Sequence, residues 1–210
     1  MKAVIVCNGD IEDYTYYKKY FEEAGLVICV DGGARHLRKL GIVPHVLLGD
    51  FDSISEADLS FFKNSVAEII KFPVEKDKTD TELAVAYAVE KGCSSLFIIG
   101  GIGSRIDHSL ANVFLLKKAV DMGVKGFIVN ESNEITLIKD RIELSREEAK
   151  VTLLPLFEKV EGVTTKGLYY PLTDATLEMG WTWGVSNEFD SELAEVTVKK
   201  GYLLVIKSRD

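Results

Sequence analysis

The sequence predicts an α/β protein, with an N-terminal parallel-sheet α/β domain and a smaller C-terminal antiparallel β-sandwich. Three observations predict it. Short apolar runs recur through Val129 with apolar residues on both faces, as strands buried inside a parallel sheet require. Stretches of helical periodicity alternate with those runs, the mark of a sheet with helices on both faces. Beyond Val129 the helical pattern fades and short alternating segments separated by turn residues replace it. The expected division is residues 1–132 for the α/β domain and 133–210 for the sandwich.

The elements follow in order. The first strand is Ala3–Cys7. Tyr17, Tyr20, Phe21 and Ala24 then repeat at i, i+3, i+4 and i+7, with Gly25 as a stop. Strands are expected at Leu26–Val30, Val46–Leu48 and Glu68–Phe72. In Thr79–Lys91, Leu83, Ala86 and Tyr87 keep the helical spacing, and Thr79-Asp80-Thr81-Glu82 has the form of a capping box. Strand Leu96–Ile99, a helix from Ser109 to Met122 and strand Gly126–Val129 complete the first domain. The sandwich segments are Glu134–Ile138, Val151–Leu154, Ala175–Met179, Glu195–Lys199 and Tyr202–Lys207, with a brief helical stretch at Arg146–Lys150. Strand alternation would put Trp181 and Trp183 on one side, as core or as an interface. A piece this small buries little core alone, so it is expected to lean on the first domain or on a second subunit.

Composition excludes several classes. With 33 acidic and 25 basic residues the net charge is −8, and no run of Lys and Arg occurs, which argues against nucleic acid as a partner. No apolar run approaches the 18 residues of a membrane span, and the N-terminal apolar run is too short for a signal peptide. A cytoplasmic protein is expected. Cys7, Cys29 and Cys93 are odd in number and widely spaced, and read as buried small hydrophobes in a reducing compartment.

Ligands of open α/β sheets bind beyond the carboxyl ends of the strands. Four junctions on that edge carry carboxylates: Asp31-Gly32-Gly33-Ala34, Gly49-Asp50-Phe51-Asp52-Ser53, Lys76-Asp77-Lys78-Thr79-Asp80, and Gly100 through Asp107. Acids crowded there repel one another, and a bound divalent cation resolves the repulsion. Asp50 and Asp52, at i and i+2 of an extended segment, would point the same way toward one ion. An all-oxygen set favours Mg²⁺ or Mn²⁺ over zinc. Each acid also has a plainer reading. Asp-x-Asp is common in turns, Asp80 suits the first turn of any helix, and Asp31 can cap a turn. The loop containing Gly101, Gly103 and Arg105 completes neither the dinucleotide fingerprint nor a P-loop. Its backbone N–H groups can still face an anion, and Arg105 is a fixed cation suited to phosphate. Chelating acids beside such a loop suggest a Mg²⁺–polyphosphate, with Lys76 and Lys78 able to assist. His36, His45 and His108 are scattered and read as structural or surface residues.

These stretches, in this order, resemble the thiamine pyrophosphokinase (thiamine diphosphokinase) family. Gly167-Leu168-Tyr169-Tyr170-Pro171-Leu172 and Ser186-Asn187-Glu188 resemble it too, so the match spans nearly the whole chain. The resemblance implies Mg²⁺-dependent transfer of diphosphate from ATP to thiamine, giving thiamine diphosphate and AMP. It implies a homodimer with sites at the subunit interface. By motif, Asp50, Asp52 and Asp80 match the acids around metal and phosphates. Asp31, Gly32, Gly33, Asp77, Lys78, Thr79, Gly101, Gly103 and Arg105 match the nucleotide side, and Asp107, Tyr170, Ser186 and Asn187 the thiamine side. Asp50, Asp52, Asp80, Arg105 and Asp107 form the implied catalytic set, with Asp80 or Asp107 as acceptor of the hydroxyl proton. Tyr169 departs from the pattern, which has a Lys there. A diphosphokinase acting on a pterin alcohol and a Mg²⁺–nucleotide sensor without turnover are the alternatives. Tyr170 and Ser186-Asn187 favour thiamine over the pterin.

Overall fold

A computed structural model describes residues 1–63, 65–66 and 68–209. The chain divides into two compact units, Met1–Glu131 and Ser132–Asp210.

The first unit carries strands β1 (Lys2–Val6), β2 (Leu26–Val30), β3 (Val46–Gly49), β4 (Glu68–Lys71), β5 (Ser95–Ile99) and β6 (Lys125–Val129), ordered β4-β3-β2-β1-β5-β6 and parallel throughout. Its helices are α1 (Tyr14–Glu22), α2 (Ala34–Leu40), α3 (Glu56–Lys63), α4 (Asp80–Glu90) and α5 (Ile106–Asp121). Val4, Val6, Val27, Cys29 and Leu47 face Tyr17 and Tyr20 of α1, Ala34 and Leu37 of α2, and Phe62 of α3. The alternate residues Ala3, Ile5, Ile28, Leu48 and Ile98 are fully buried on the opposite face, which α4 and α5 cover. Helix α1 starts at Asp13, whose side chain accepts from Thr15 N at 2.8 Å. It ends at Glu22, before the expected stop at Gly25. The expected cap of α4 is present, with Thr79 Oγ1 accepting from Glu82 N at 3.1 Å. Helices α2 and α3 were not anticipated. The order reverses between β1 and β5, where a crevice opens at the carboxyl ends of the strands.

The second unit is a sandwich of two antiparallel sheets. One is β7 (Asn133–Ile138), β13 (Leu203–Ser208) and β9 (Lys150–Pro155), in the order β7-β13-β9. The other, ordered β11-β10-β12-β8, is built from β8 (Arg141–Ser145), β10 (Lys159–Lys166), β11 (Ala175–Glu178) and β12 (Leu193–Thr197). Leu153, Leu203 and Val205 from the first meet Leu144, Val160, Val163 and Val196 from the second in one core. Two expectations fail here. Arg146–Lys150 is a bend running into β9 rather than a helix, because Glu147 is drawn to Lys207 and Arg209. Trp181 and Trp183 lie in the turn region after β11, not on a strand, and both are exposed. Strands β8 and β10 are additional to the segments that the alternation predicts.

Candidate active site

The crevice of the first unit is a cleft of about 500 Å³ lined by residues that follow β1, β2, β3 and β5 and by the start of α4. Its floor is made by two glycine-containing loops at the switch point. Gly9 N donates to Gly100 O at 2.9 Å, and a Cβ on Gly9 would lie 2.4 Å from that oxygen, so only glycine permits the approach. Ser109 and Asn112, two buried polar residues of α5, hold the second loop. Ser109 Oγ accepts from Gly103 N at 3.1 Å, and Asn112 Nδ2 donates to Gly101 O at 2.7 Å. From α2, Arg35 Nη2 donates to Asn8 O at 2.9 Å, and His36 Nε2 lies 2.8 Å from Gly9 O. A carbonyl only accepts, so Nε2 carries a proton toward Gly9 O, and in the neutral ring Nδ1 accepts from Tyr14 Oη at 2.8 Å. Burial pulls His36 down to about 4, the nearby Arg35 adding to the effect, which favours that neutral ring.

The acids converge. One oxygen each from Asp31, Asp50 and Asp80 lies within 4.8 Å of the other two. Asp31 takes a left-handed backbone conformation, φ 42°, and its Oδ1 accepts from Phe51 N at 3.0 Å. A Cβ on Gly49 would sit 1.8 Å from that oxygen, and Gly49 has φ 147°, so the glycine makes room for the carboxylate. Burial pushes Asp31 up to about 7, opposed by the Phe51 N–H and reinforced by the charges of Asp80 and Asp50. The expected extended Asp50–Asp52 segment is instead a turn. Phe51 has φ 67°, and Asp52 N folds back to donate to Asp50 Oδ1 at 3.0 Å. That bond holds Asp50 below the usual carboxylate range, while the Asp50 charge raises Asp52. Asp52 therefore lines the same cleft, but Asp31 takes the third place in the tight cluster. Lys76 Nζ lies 2.9 Å from Asp80 Oδ1 and 3.6 Å from Asp50 Oδ2. Asp80 Oδ1 is buried, and the Lys76 ammonium is the cation it faces.

The remaining expected residues separate. Thr79, Gly101, Gly103 and Arg105 line the cleft. Gly32 and Gly33 are buried beneath it: a Cβ on Gly33 would lie 2.2 Å from Val6 O, where α2 packs on β1, and one on Gly32 would lie 2.4 Å from the side chain of Asn8, which lines the cleft. Asp77 and Lys78 are exposed and outside the lining. Asp107 is exposed and bidentate with Arg105, Nη2 donating to Oδ2 at 2.6 Å and Nε to Oδ1 at 3.3 Å; this pairing holds its carboxyl below the usual range. Cys7 lines the cleft, but burial pushes its thiol up to about 11, unsuited to nucleophilic work. In the second unit, Tyr170 and Ser186 are exposed and Asn187 is buried. Asn187 Nδ2 donates to Tyr170 O at 2.8 Å, and its Oδ1 accepts from Tyr170 N at 3.0 Å and Glu188 N at 2.8 Å. Its amide clamps the Tyr170 segment. Tyr169 makes a T-shaped contact with Tyr170, ring centroids 4.9 Å apart.

Sequence reasoning missed Asn8-Gly9-Asp10, although the rule of strand carboxyl ends applies to β1 as well. It also missed Ser109 and Asn112, which only their burial on a helix face reveals.

Residues 17–128 match the family profile "Thiamin pyrophosphokinase, catalytic domain", and residues 139–203 match "Thiamin pyrophosphokinase, vitamin B1 binding domain". The chain belongs to the thiamin pyrophosphokinase family. A thiamine pyrophosphokinase of Bacillus subtilis is 32% identical over 214 residues, covering 100% of both chains. The crystal structure of thiamine pyrophosphokinase from Bacillus subtilis superposes with a TM-score of 0.90 at 30% identity, covering 100% of each chain. That of thiamin pyrophosphokinase from Geobacillus thermodenitrificans gives 0.86 at 30%, covering 100% of this chain and 98% of that one. The chain is a thiamine pyrophosphokinase by family, and an enzyme.

Proposed function

We propose that the chain transfers a diphosphoryl group from ATP to the hydroxyl of thiamine, releasing AMP and thiamine diphosphate, with Mg²⁺ held by the acid cluster. The observation that carries the reading is the convergence of Asp31, Asp50 and Asp80 at the switch point, beside a glycine loop and Arg105. The donor set is all carboxylate, the oxygen chemistry a hard cation takes, and it already draws the Lys76 ammonium to 2.9 Å from buried Asp80 Oδ1. When bound, the cation supplies charge neutralisation on the polyphosphate. Asp50 and Asp80 hold it, with Asp31 or Asp52 completing the set. The Arg105 guanidinium, with the backbone of the glycine loop that lines the cleft beside it, steadies phosphate oxygens. Asp107, tied to Arg105, is a poor proton acceptor, so the alcohol is activated by positioning more than by a strong base.

Residues 133–210 serve thiamine in this reading. Tyr170 presents an exposed ring to the cationic thiazolium, worth about 0.5–2 kcal/mol in cation–π attraction. Ser186 faces the same ligand, and Asn187 positions Tyr170. A homodimer in the cytoplasm is part of the proposal. Three buried thiols without disulfides fit a reducing compartment, and no helix among the described residues is long and apolar enough to cross a membrane.

The test is product analysis. Protein incubated with ATP, Mg²⁺ and thiamine should yield AMP and thiamine diphosphate together, and neither with excess chelator. ADP in place of AMP overturns diphosphoryl transfer. AMP only with a pterin alcohol overturns the substrate.

A further inference from the structure

Lys76 stands where a cation of another kind would bind. Its ammonium approaches Asp80 Oδ1 at 2.9 Å and Asp50 Oδ2 at 3.6 Å, and its side chain is only 15% exposed. It also donates to the carbonyl of Pro73 at 3.1 Å, three residues back in the same loop. The two oxygens belong to carboxylates of the cluster whose members lie within 4.8 Å of one another. Ionised carboxylates that close repel, and partial burial strengthens the repulsion. An ammonium between two of them offsets it. Lysine suits a cation that has to leave, because its charge is compact and its stem is flexible, whereas an arginine fork is held by geometry.

We infer that Lys76 is the resident counter-ion of the acid cluster, occupying the cation position between Asp50 and Asp80 and displaced when a divalent ion binds both. The inference rests on the metal reading given under Proposed function. Two consequences follow from charge alone. Without nucleotide, a divalent ion has to expel the ammonium, so it binds the free protein weakly. With nucleotide, the polyphosphate offers the displaced ammonium a new anionic partner, so ion and nucleotide bind with positive coupling. Lys76 is a positioning and affinity-setting residue under this account, separate from the metal ligands themselves.

Mn²⁺ serves as the probe, its free concentration read by electron paramagnetic resonance. Wild type, Lys76→Met, Lys76→Gln and Lys76→Arg are titrated with and without a non-hydrolysable ATP analogue. Both neutral variants should bind Mn²⁺ at least about tenfold tighter than wild type without nucleotide, the scale set by removing one like charge at 4–6 Å. Lys76→Arg, which keeps the charge in a fork that leaves less readily, should bind Mn²⁺ no tighter than wild type. Adding the analogue should tighten Mn²⁺ binding in wild type by a larger factor than in the neutral variants. In chelator the neutral variants should melt at lower temperature, because the carboxylates lose their counter-ion. Folded neutral variants that bind Mn²⁺ no tighter than wild type overturn the inference while leaving the metal site intact, provided wild type still releases AMP in a metal-dependent way. A wild type that neither binds Mn²⁺ nor releases AMP overturns the metal reading and the inference together.

Discussion

The two units hold their candidate site residues in opposite ways. In the first, the clustered acids Asp31, Asp50 and Asp80 are partly buried at strand ends and at the start of α4, where the fold over-determines them. Asp31 and Phe51 sit at positive φ, Gly49 leaves space that a Cβ would fill, and Asp50 is tied down by the amide of Asp52. In the second, Tyr170 and Ser186 present exposed side chains on loops whose backbone alone is held: Asn187 clamps that of Tyr170, and Ser186, at φ 60°, donates its N–H to Thr152 Oγ1 at 3.1 Å. The difference matches the chemistry asked of each. Neutralising polyphosphate charge needs groups fixed before the reaction, and strain of about 1–3 kcal/mol per unusual backbone angle is tolerated for it. Holding a flat cationic ring needs area and an aromatic face, which an exposed residue supplies without strain.

The comparison breaks most sharply at Asp50. Asp50→Asn retains an oxygen to accept from Asp52 N but loses the charge. Activity should fall at least about 100-fold, as loss of a metal ligand implies, with the circular-dichroism spectrum unchanged. Turnover near wild type would remove Asp50 from the metal site. Gly49→Ala tests the over-determination itself. Its Cβ meets Asp31 Oδ1 at 1.8 Å, so Asp31 has to move. The variant should lose activity and about 2 kcal/mol of stability in urea denaturation, the range of a strained backbone position. An alanine tolerated on both counts would show that Asp31 is not held in the cluster by its backbone.

A pH experiment separates the units, because all three histidines, His36, His45 and His108, lie in the first. His36 is buried and drawn down to about 4 from an ordinary value near 6.5. Between those values the unfolded chain binds the proton and the folded one does not. Stability from this group is therefore fully present above pH 6.5 and is lost as pH falls toward 4, by up to about 1.4 kcal/mol per pH unit. His36→Gln should remove that contribution and leave the opposing slope of Asp31, whose carboxyl, raised to about 7, binds a proton in the folded chain. An unchanged slope would mean that His36 does not stay neutral beneath the Gly9 loop.

How far the sequence could be read follows the same division. Strands such as Leu26–Val30 were legible because they are apolar on both faces, and Thr79 announced α4 through its capping box. The acids were legible as residues following strands, because a parallel sheet places all those junctions on one edge. The geometry among them was not. That Asp31 joins Asp50 and Asp80 depends on positive φ at two non-glycine residues, and no periodicity encodes that. Helix α2 was hidden by its seven residues and its charged Arg35, Arg38 and Lys39. Strand β10 was hidden by Gly162, where φ is 70° and the register with β11 shifts, breaking the alternation of period two. The Asn187 clamp needs contacts that only the folded chain supplies.

The smallest effect is the one that most sharpens the comparison. Tyr170→Ala removes an exposed ring that lies outside the second unit's core as the described residues show it, so stability should hardly change. KM for thiamine should rise by about 2- to 30-fold, the equivalent of 0.5–2 kcal/mol, while KM for ATP and kcat stay near wild type. Asn187→Ala should reach a similar thiamine KM by another route. It leaves the N–H groups of Tyr170 and Glu188 without their acceptor, costing about 1–3 kcal/mol of stability as well. Steady-state kinetics with both substrates and urea denaturation of both variants distinguish the two roles. Equal rises in KM for thiamine and ATP in Tyr170→Ala would make the ring a packing surface. An Asn187→Ala variant that loses stability without any change in thiamine KM would show that the position of Tyr170 is irrelevant to binding. The ligand would then be held by other groups of the second unit.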